Sequence, residues 1–331
     1  MPVNNRMNED SRWLAAAASL ATRARPLSRP NPAVGAIVVR EGRVVARGWT
    51  GAGGRPHAEA VALDAAGMLA QGATLYVTLE PCAHQSARGP ACAELIAASS
   101  VARVVIGCED PDPRTAGQGI ACIRAAGIAV KLVPSAQAEA SLSGYLTQRR
   151  LGRPEITLKL ATSLDGCIAL RTGESRWITG AAARAHGHAM RARADAILVG
   201  GGTLRSDAPK LDVRLPGLEA RSPRRFVLTH GEAPEGWCAL PSPEAVGSMT
   251  DIQYLLIEGG AGAAAAFLKA GLVDRLAVYR APIILGGGLP CIGDIGLGSL
   301  DDAHGQWRMT DHRQLGSDTL EVYEHLPCSP E

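Results

Sequence analysis

Short apolar, β-branched runs alternate with helix-forming stretches, and this alternation constrains the fold of the chain more than any other feature. In the first half the strand-like runs are VGAIVV at 34–39, TLYVTL at 74–79 and RVVIG at 103–107. Helices are predicted around and between them, at 8–24, 57–69, 91–98, 117–126 and 136–148. Strands that alternate with helices are typical of layered α/β sheets. We therefore predict an α/β fold in which helices cover a sheet.

The same alternation restarts after the polar segment RRLGRPE. Strand-like runs at 156–162 and 196–199 open this second half, with a predicted helix at 181–193 between them. A length of 331 residues also suits two domains, because a domain has roughly 150 residues. We predict one domain at 1–150 and a second at 151–331.

Composition and charge exclude several functional classes. The formal net charge is +2 and aromatic residues make up 4% of the chain, so a polybasic or base-stacking nucleic-acid surface is not expected. No stretch approaches 18 uninterrupted apolar residues, and the first residues lack the layout of a signal peptide. The eight cysteines do not follow the spacing of a disulfide scaffold. We expect a cytoplasmic globular protein without nucleic-acid or membrane partners.

Four residues of the first half form a pattern typical of a catalytic zinc site. His57 and Glu59 occur in the run PHAE, Cys82 follows in EPC, and Cys92 comes ten residues later. One imidazole and two thiolates leave a tetrahedral zinc one open position for water, which the metal activates as a nucleophile. A carboxylate two residues from a ligand can carry protons without binding the metal, as a Glu does in zinc deaminases.

Each part of this pattern also has an ordinary structural interpretation. A lone His-x-Glu is common at helix starts, and a lone cysteine is most often a small buried hydrophobe. His84, two residues after Cys82, would complete a structural zinc site with four ligands. The joint pattern in an α/β context favours a catalytic zinc, and the structural site stays open as an alternative.

Longer segments of the first half carry a family resemblance: NPAVGAIVV, PHAEAVAL, YVTLEPCAH and ARVVIGCEDPDPRTAGQGI. They resemble the deaminase half of the bifunctional deaminase–reductase family of riboflavin biosynthesis. The resemblance implies a three-layer, cytidine-deaminase-like domain in which His57, Cys82 and Cys92 bind Zn²⁺ and Glu59 transfers the proton. It also implies that Asn31 hydrogen-bonds the substrate, a phosphorylated pyrimidine.

Two departures from the family pattern fall beside this site. The family usually has a His shortly after the second strand, where this chain has Gly48-Trp49-Thr50. The loop CAHQSARGPAC, from 82 to 92, is one residue longer than usual and has Arg88 as its only cation. We hypothesise that Arg88 or Arg55 contacts the substrate phosphate, so Arg88→Ala should raise the KM of deamination.

Glycines punctuate the second half without forming a G-x-G-x-x-G fingerprint. Gly200-Gly201-Gly202 follows a predicted strand. The run from Glu258 to Gly262 lies between a strand and a helix, where backbone N–H groups can hold a phosphate. A tight strand–helix turn is the simpler interpretation of that run.

The order of longer segments in the second half is more specific. LKLATSLDG, GESRWIT, RARADAILVG and GLVDRLAVYRAPII resemble the reductase half of the same family, which is similar to dihydrofolate reductase in fold and uses NADPH. The resemblance implies hydride transfer to C1′ of the ribosylamino group. The implied substrate contacts are Ser175, Arg191, Leu211, Arg214 and Glu258. The implied NADPH contacts are Ala161, Trp177, Thr203, Asp207, Gly260, Ala261 and Gly262. Asp207 is the one acidic residue of this segment, because Asp207-Ala208-Pro209 replaces the family's usual Asp-Asp-Pro.

These features leave three functions to compare. The first is a bifunctional enzyme that deaminates 2,5-diamino-6-(5-phosphoribosylamino)pyrimidin-4(3H)-one and then reduces the ribosyl group of the product. The second is a deaminase of a free base, a nucleoside or a tRNA, which the attached reductase half argues against. The third is a reductase alone, with a degenerate or structural-zinc first domain, which the altered 82–92 loop supports. The resemblance also suggests a homodimer through the second domain.

Overall fold

A computed structural model describes residues 3–84 and 88–326, without the side chains of residues 3–8. The chain divides into two compact units, one ending at Gly152 and the other beginning at Arg153. The division falls two residues after the boundary expected from the sequence. Among the described helices, none has the length and hydropathy that a membrane crossing requires.

The first unit alternates strands and helices. Its elements are α1 (Val3–Ala21), β1 (Gly35–Arg40), β2 (Arg43–Trp49), α2 (Ala58–Ala66), β3 (Thr74–Val77), α3 (Cys92–Ala97), β4 (Arg103–Ile106), α4 (Gln118–Ala125), β5 (Ala129–Leu132), α5 (Ala136–Ser141) and α6 (Ser143–Leu151). The strands form a sheet in the order β2-β1-β3-β4-β5. β1 runs antiparallel to β2 and β3, and β3, β4 and β5 are parallel.

Side-chain alternation along β1 divides the hydrophobic core between the two faces of this sheet. Ala36 and Val38 belong to the core that also contains buried residues of α2, α3 and α4. Ile37 and Val39 belong to a second cluster with Trp13 of α1. Because successive side chains of a strand point to opposite faces, the sheet is the middle of three layers.

Two helices of the first unit differ from the prediction. The helix expected at 8–24 begins at Val3 and ends at Ala21, and turns connect it to Arg25-Pro26. The helix expected at 136–148 is two helices, separated at Leu142, whose φ of −106° and ψ of 3° are not helical. The Ser141 hydroxyl donates to the carbonyl oxygen of Ala138 over 2.7 Å. That side-chain bond competes with the backbone for the same acceptor, which disfavours continuation of the helix.

The second unit contains a larger sheet. Its elements are β6 (Glu155–Thr162), β7 (Cys167–Ala169), α7 (Ala181–Arg191), β8 (Ala196–Gly200), α8 (Gly201–Asp207), β9 (Arg224–Leu228), β10 (Cys238–Leu240), β11 (Tyr254–Ile257), α9 (Ala261–Lys269), β12 (Arg275–Arg280), β13 (Leu289–Pro290), β14 (Trp307–Leu315) and β15 (Asp318–His325). Eight strands form one sheet in the order β10-β9-β8-β11-β6-β12-β15-β14, and β7 pairs with β13. β15 is antiparallel to both of its neighbours, and the other pairs of the large sheet are parallel.

Both faces of the large sheet are covered near β8. Ala196 and Leu198 pack in the core that contains Phe267 of α9. Ile197 and Val199 pack on the other face with Met190 of α7. The unit is therefore also layered, with its own core.

Candidate functional site

The three predicted zinc ligands lie next to the ends of regular elements. His57 immediately precedes α2, Cys92 is the first residue of α3, and Cys82 lies in the segment after β3. Gly48 of β2 allows α2 to pack closely, because a Cβ there would lie 2.2 Å from the carbonyl oxygen of Ala58. This contact holds the start of α2, and with it His57, at a defined place on the sheet.

The structure brings these three side chains together. Nδ1 of His57 lies 3.2 Å from Sγ of Cys92 and 3.5 Å from Sγ of Cys82, and the three ligand atoms lie within 4.8 Å of one another. The backbone N–H of Cys92 donates to Sγ of Cys82 over 3.3 Å. One imidazole and two thiols are a donor set of catalytic zinc sites, so the residues present fit this metal.

His84 does not join this group. Its Nδ1 lies 3.5 Å from the hydroxyl of Thr115, and within residues 3–84 and 88–326 the metal-ligand group consists of His57, Cys82 and Cys92. A set of three ligands leaves a coordination position for a small molecule, whereas a structural zinc uses four protein ligands. The arrangement therefore favours the catalytic interpretation.

The pKa values of the two thiols are shifted in opposite directions. A hydrogen bond from Cys92 lowers the pKa of Cys82 well below its usual range, helped by His57 and opposed by burial. The pKa of Cys92 is raised by its bond to Cys82 and by burial. A thiolate beside an imidazole is the form of these groups that binds a soft dication.

Glu59 lies in the first turn of α2, two residues after His57. Its side chain is buried, with 4% of the residue exposed. Burial raises the pKa of Glu59 to about 7, although the nearby His57 opposes the shift. Its carboxyl group hydrogen-bonds Cys92, so it lies beside the ligand set without being part of it.

Asn31 reaches the same place from the segment before β1. Its Nδ2 lies 3.0 Å from the carbonyl oxygen of Gly54 and 3.2 Å from Nε2 of His57. Gly54 has a φ of +83°, and a Cβ there would lie 2.6 Å from Cγ of Asn31. Only glycine accommodates both the left-handed backbone and this close approach.

A cavity of about 200 Å³ opens at these residues. His57, Cys82, Asn31, Arg55 and Arg88 line it. Residues 85–87 of the altered loop lie outside the described residues. Its wall also includes residues to which the sequence analysis gave no role, namely Glu80, Asp110, Asp112, Arg114, Tyr145 and Arg149. Several of them occur in the run EDPDPRT, whose dense charge was the signal available in the sequence.

A second cavity, of about 240 Å³, lies in the second unit. Most of the residues predicted for the reductase line it: Ala161, Ser175, Trp177, Arg191, Asp207, Arg214 and Glu258. Trp177 is 63% exposed, so it is not part of the hydrophobic core. Lys159, His188 and Tyr279 also line the cavity, and sequence reasoning missed them.

A buried ion pair forms one wall of this cavity. Nε and Nη2 of Arg191 lie 2.7 and 2.8 Å from the two carboxylate oxygens of Glu258, and Nζ of Lys159 lies 3.7 Å away. Burial alone would raise the pKa of Glu258, but the charges of Lys159 and Arg191 lower it to about 2. Nη1 of Arg191 donates to the carbonyl oxygen of Asp212 over 3.0 Å. Arg191 is therefore occupied by protein acceptors.

The remaining predicted residues do not line this cavity. Leu211 is 5% exposed and packs in the cluster that contains Ile197 and Val199. Its φ is +53°, an uncommon conformation for a leucine. Thr203 accepts a hydrogen bond from the backbone N–H of Gly260 over 3.2 Å, which brings it next to the start of α9, where Ala261 and Gly262 lie.

Both halves of the chain match models of known protein families. Residues 154–236 and 245–320 match the family model of the RibD C-terminal domain. Residues 7–108 match that of the cytidine and deoxycytidylate deaminase zinc-binding region. The riboflavin biosynthesis protein RibD of Aquifex aeolicus is 37% identical, over 89% of this chain and 92% of the relative. The Escherichia coli RibD is 37% identical, over 94% of this chain and 98% of the relative. The chain belongs to the RibD family.

Solved RibD structures extend this relationship to the fold. The structure of Acinetobacter baumannii RibD has a TM-score of 0.84 and 33% identity, and the match covers 97% of this chain and all of that one. A Thermotoga maritima structure with the same TM-score and coverage, 30% identical, is described as a diaminohydroxyphosphoribosylaminopyrimidine deaminase/5-amino-6-(5-phosphoribosylamino)uracil reductase.

Membership of the RibD family confirms the predicted fold class, a cytidine-deaminase-like domain followed by a reductase domain. The chain is a bifunctional deaminase–reductase of riboflavin biosynthesis that acts on small molecules, with zinc in the deaminase and NADPH in the reductase. The zinc-binding region matched by the family model contains all three clustered ligands. Residues 237–244, which include the whole of β10, lie outside the match to the RibD C-terminal domain.

Proposed function

We propose that the unit ending at Gly152 deaminates 2,5-diamino-6-(5-phosphoribosylamino)pyrimidin-4(3H)-one. The unit beginning at Arg153 then reduces the ribosyl group of the product, giving 5-amino-6-(5-phosphoribitylamino)uracil. The observation that carries this proposal is the cluster of His57, Cys82 and Cys92 beside the buried Glu59, in one chain with a reductase domain.

In the deaminase, His57, Cys82 and Cys92 would hold the zinc. When bound, zinc supplies a Lewis acid that activates water for attack on the amine-bearing carbon. Glu59 would take a proton from the nucleophile and deliver it to the leaving ammonia, since its carboxyl group is buried beside the ligands. Asn31, held by Gly54, would orient the pyrimidine ring with its side-chain amide.

In the reductase, the pocket residues would align the ribosyl C1′ with the nicotinamide. When bound, NADPH supplies the hydride, and the protein positions the two reactants and excludes water. Arg214 lines the pocket and is exposed, which suits binding of the substrate phosphate. Arg191 donates hydrogen bonds to Glu258 and to the carbonyl oxygen of Asp212, which suits a residue that positions the carboxylate of Glu258.

The other predicted contacts divide between the cavity and the start of α9. Ser175 would contact the substrate, and Ala161, Trp177 and Asp207 would contact NADPH along the cavity wall. Leu211 would contact the substrate only through its backbone, because its side chain is buried. Thr203, Gly260, Ala261 and Gly262 would bind a phosphate of NADPH at the start of α9, where backbone N–H groups lack helical partners.

We further propose a homodimer through the second unit and a location in the cytoplasm. The described cysteines are free, which fits a reducing compartment. The function to be excluded by experiment is a reductase with an inactive first domain, which the altered loop at 82–92 suggested.

One experiment separates these functions. Zinc content, ammonia release from the diaminopyrimidinone phosphate and NADPH oxidation on the deaminated product are measured for the wild type and for Glu59→Ala. The proposal predicts zinc in both proteins, ammonia release only in the wild type, and NADPH oxidation in both. NADPH oxidation without ammonia release in the wild type would leave the reductase-only function standing.

A further inference from the structure

Arginines and carboxylates share the wall of the deaminase cavity. Among the described residues, Arg55, Arg88, Arg114 and Arg149 line it together with Glu80, Asp110 and Asp112. The proposed substrate carries a phosphate at the end of its ribose, remote from the carbon that is attacked. We propose that Arg149 of α6 binds this phosphate and makes the deaminase specific for the phosphorylated substrate. The inference rests on the proposed function of the first unit.

Arg114 is not available for this role, because Asp112 occupies it. Its Nε lies 2.9 Å from Oδ1 of Asp112 and its Nη2 lies 2.6 Å from Oδ2. The hydrogen bonds from Arg114 lower the pKa of Asp112 to about 2, so the carboxylate is charged throughout the physiological range. The pair is bidentate and close to neutral overall.

Arg149 approaches the same carboxylate without a comparable bond. Its Nη2 lies 3.6 Å from Oδ2 of Asp112, longer than a charge-assisted hydrogen bond. Both oxygens of Asp112 are already taken by Arg114. Among the described residues, the guanidinium of Arg149 therefore keeps its N–H donors for a stronger acceptor, and a phosphate dianion is such an acceptor.

The ring of Tyr145 packs against the guanidinium of Arg149. The guanidinium carbon of Arg149 lies 5.4 Å from the centre of the Tyr145 ring, within the range of a cation–π contact. Tyr145 is buried, and its hydroxyl donates to Oδ1 of Asp110 over 2.8 Å. A fixed ring restricts the side chain of Arg149, so less conformational freedom is lost when it binds an anion.

The other two arginines fit this role less well. Arg88 donates to the carbonyl oxygen of Gly53 over 2.8 Å. Arg55 lies two residues before His57, one of the three clustered ligands. A cation beside a zinc ligand is near the reacting ring, whereas the phosphate lies a ribose away from it. Arg149 belongs to α6, outside the segments that carry the three ligands.

The test compares two substrates in three variants. Ammonia release is measured with the phosphorylated substrate and with the same compound after removal of its phosphate. Arg149→Ala should raise the KM for the phosphorylated substrate about tenfold with little change in kcat, since a charge-assisted contact at a half-exposed site is lost. The KM for the dephosphorylated compound should not change. Arg149→Lys should recover part of the loss, because lysine keeps the positive charge but lacks the planar set of N–H donors of a guanidinium.

Arg150→Ala is the matched control, since Arg150 is the next residue of α6, is exposed, and is not among the residues of the cavity wall. It should behave as the wild type. Competitive inhibition of deamination by ribose 5-phosphate should weaken about as much as the KM rises in Arg149→Ala. An equal loss on both substrates would assign Arg149 a structural role, and no loss on either would overturn the inference outright.

Failure of the proposed function has a different signature, which is the absence of ammonia release from the wild type. In that case binding of ribose 5-phosphate still tests Arg149. The titration uses an Arg214→Ala background, which removes the phosphate contact proposed for the reductase. Weaker binding when Arg149→Ala is added supports the inference, and unchanged binding contradicts it.

Discussion

Glu258→Gln removes the charge that neutralises two cations in the wall of the reductase cavity. The side chains involved are largely buried, with exposures of 10% for Glu258, 14% for Arg191 and 21% for Lys159. The substitution deprives Arg191 and Lys159 of the carboxylate that they share in a region of low dielectric constant. Breaking a buried pair in this way costs about 3–5 kcal/mol.

The acidity of Glu258 gives an independent magnitude. Its pKa falls from the ordinary 4.5 to about 2, which corresponds to about 3 kcal/mol of stabilisation at neutral pH. For a unit of this size the loss should lower Tm by about 6–12 °C. Because the folded pKa is the lower one, the stabilisation is present above pH 4.5 and is lost as the pH falls toward 2.

The assay is urea or thermal unfolding of the wild type and Glu258→Gln at pH 7 and pH 3. The difference between them should be about 3 kcal/mol at pH 7 and roughly half of that at pH 3. Asp251→Asn is the control, because its pair with Arg224 has side chains that are 46% and 55% exposed. The control should lose less than about 1 kcal/mol. A loss as small as the control's, or a difference that does not shrink at pH 3, would refute the reasoning.

Three further predictions concern the first unit. His57→Ala should abolish both zinc binding, measured by elemental analysis, and ammonia release. NADPH oxidation on the deaminated product should persist. Zinc retained at the wild-type level would contradict the assignment of His57 as a ligand. Glu59→Gln should keep zinc but slow ammonia release by about 10²–10⁴-fold in a steady-state assay, and wild-type rates would exclude its proton-transfer role. Asp10→Asn should destabilise the unit by about 1–2 kcal/mol in urea unfolding, because the buried carboxylate accepts two hydrogen bonds from Arg103 and its partners are partly exposed. A wild-type unfolding midpoint for Asp10→Asn would contradict that magnitude.

The sequence predicted the strands that have a clear run of apolar and β-branched residues. The strands β1, β3 and β6 are apolar and β-branched, and the structure contains them close to the expected positions. The edge strand β14 was missed because its residues WRMTDHRQL are mostly polar and exposed, so no alternation of hydrophobicity marks it. The short strands β7, β10 and β13 have two or three residues each, too few for a periodic pattern.

The same contrast holds for the sites. His57, Cys82 and Cys92 could be recognised from the sequence because their residue types restrict the chemistry they can perform. Lys159 and Tyr279 could not, because they are distant in the chain and meet only through the parallel pairing of β6 with β12, where Lys159 lies opposite Ala277. Nζ of Lys159 consequently lies 5.6 Å from the centre of the Tyr279 ring. Arg149 was missed for a similar reason, since α6 returns to a cavity whose metal ligands precede it by more than fifty residues.

The most direct test of the account is a single reaction that starts from the deaminase substrate and contains the purified chain, zinc and NADPH. Ammonia release and NADPH oxidation are recorded together, and mass spectrometry identifies the product. The account predicts that ammonia appears first, that NADPH oxidation follows after a lag, and that the final product is both deaminated and reduced. NADPH oxidation without ammonia release, or ammonia release that is never followed by oxidation, would contradict the claim that one chain performs both steps.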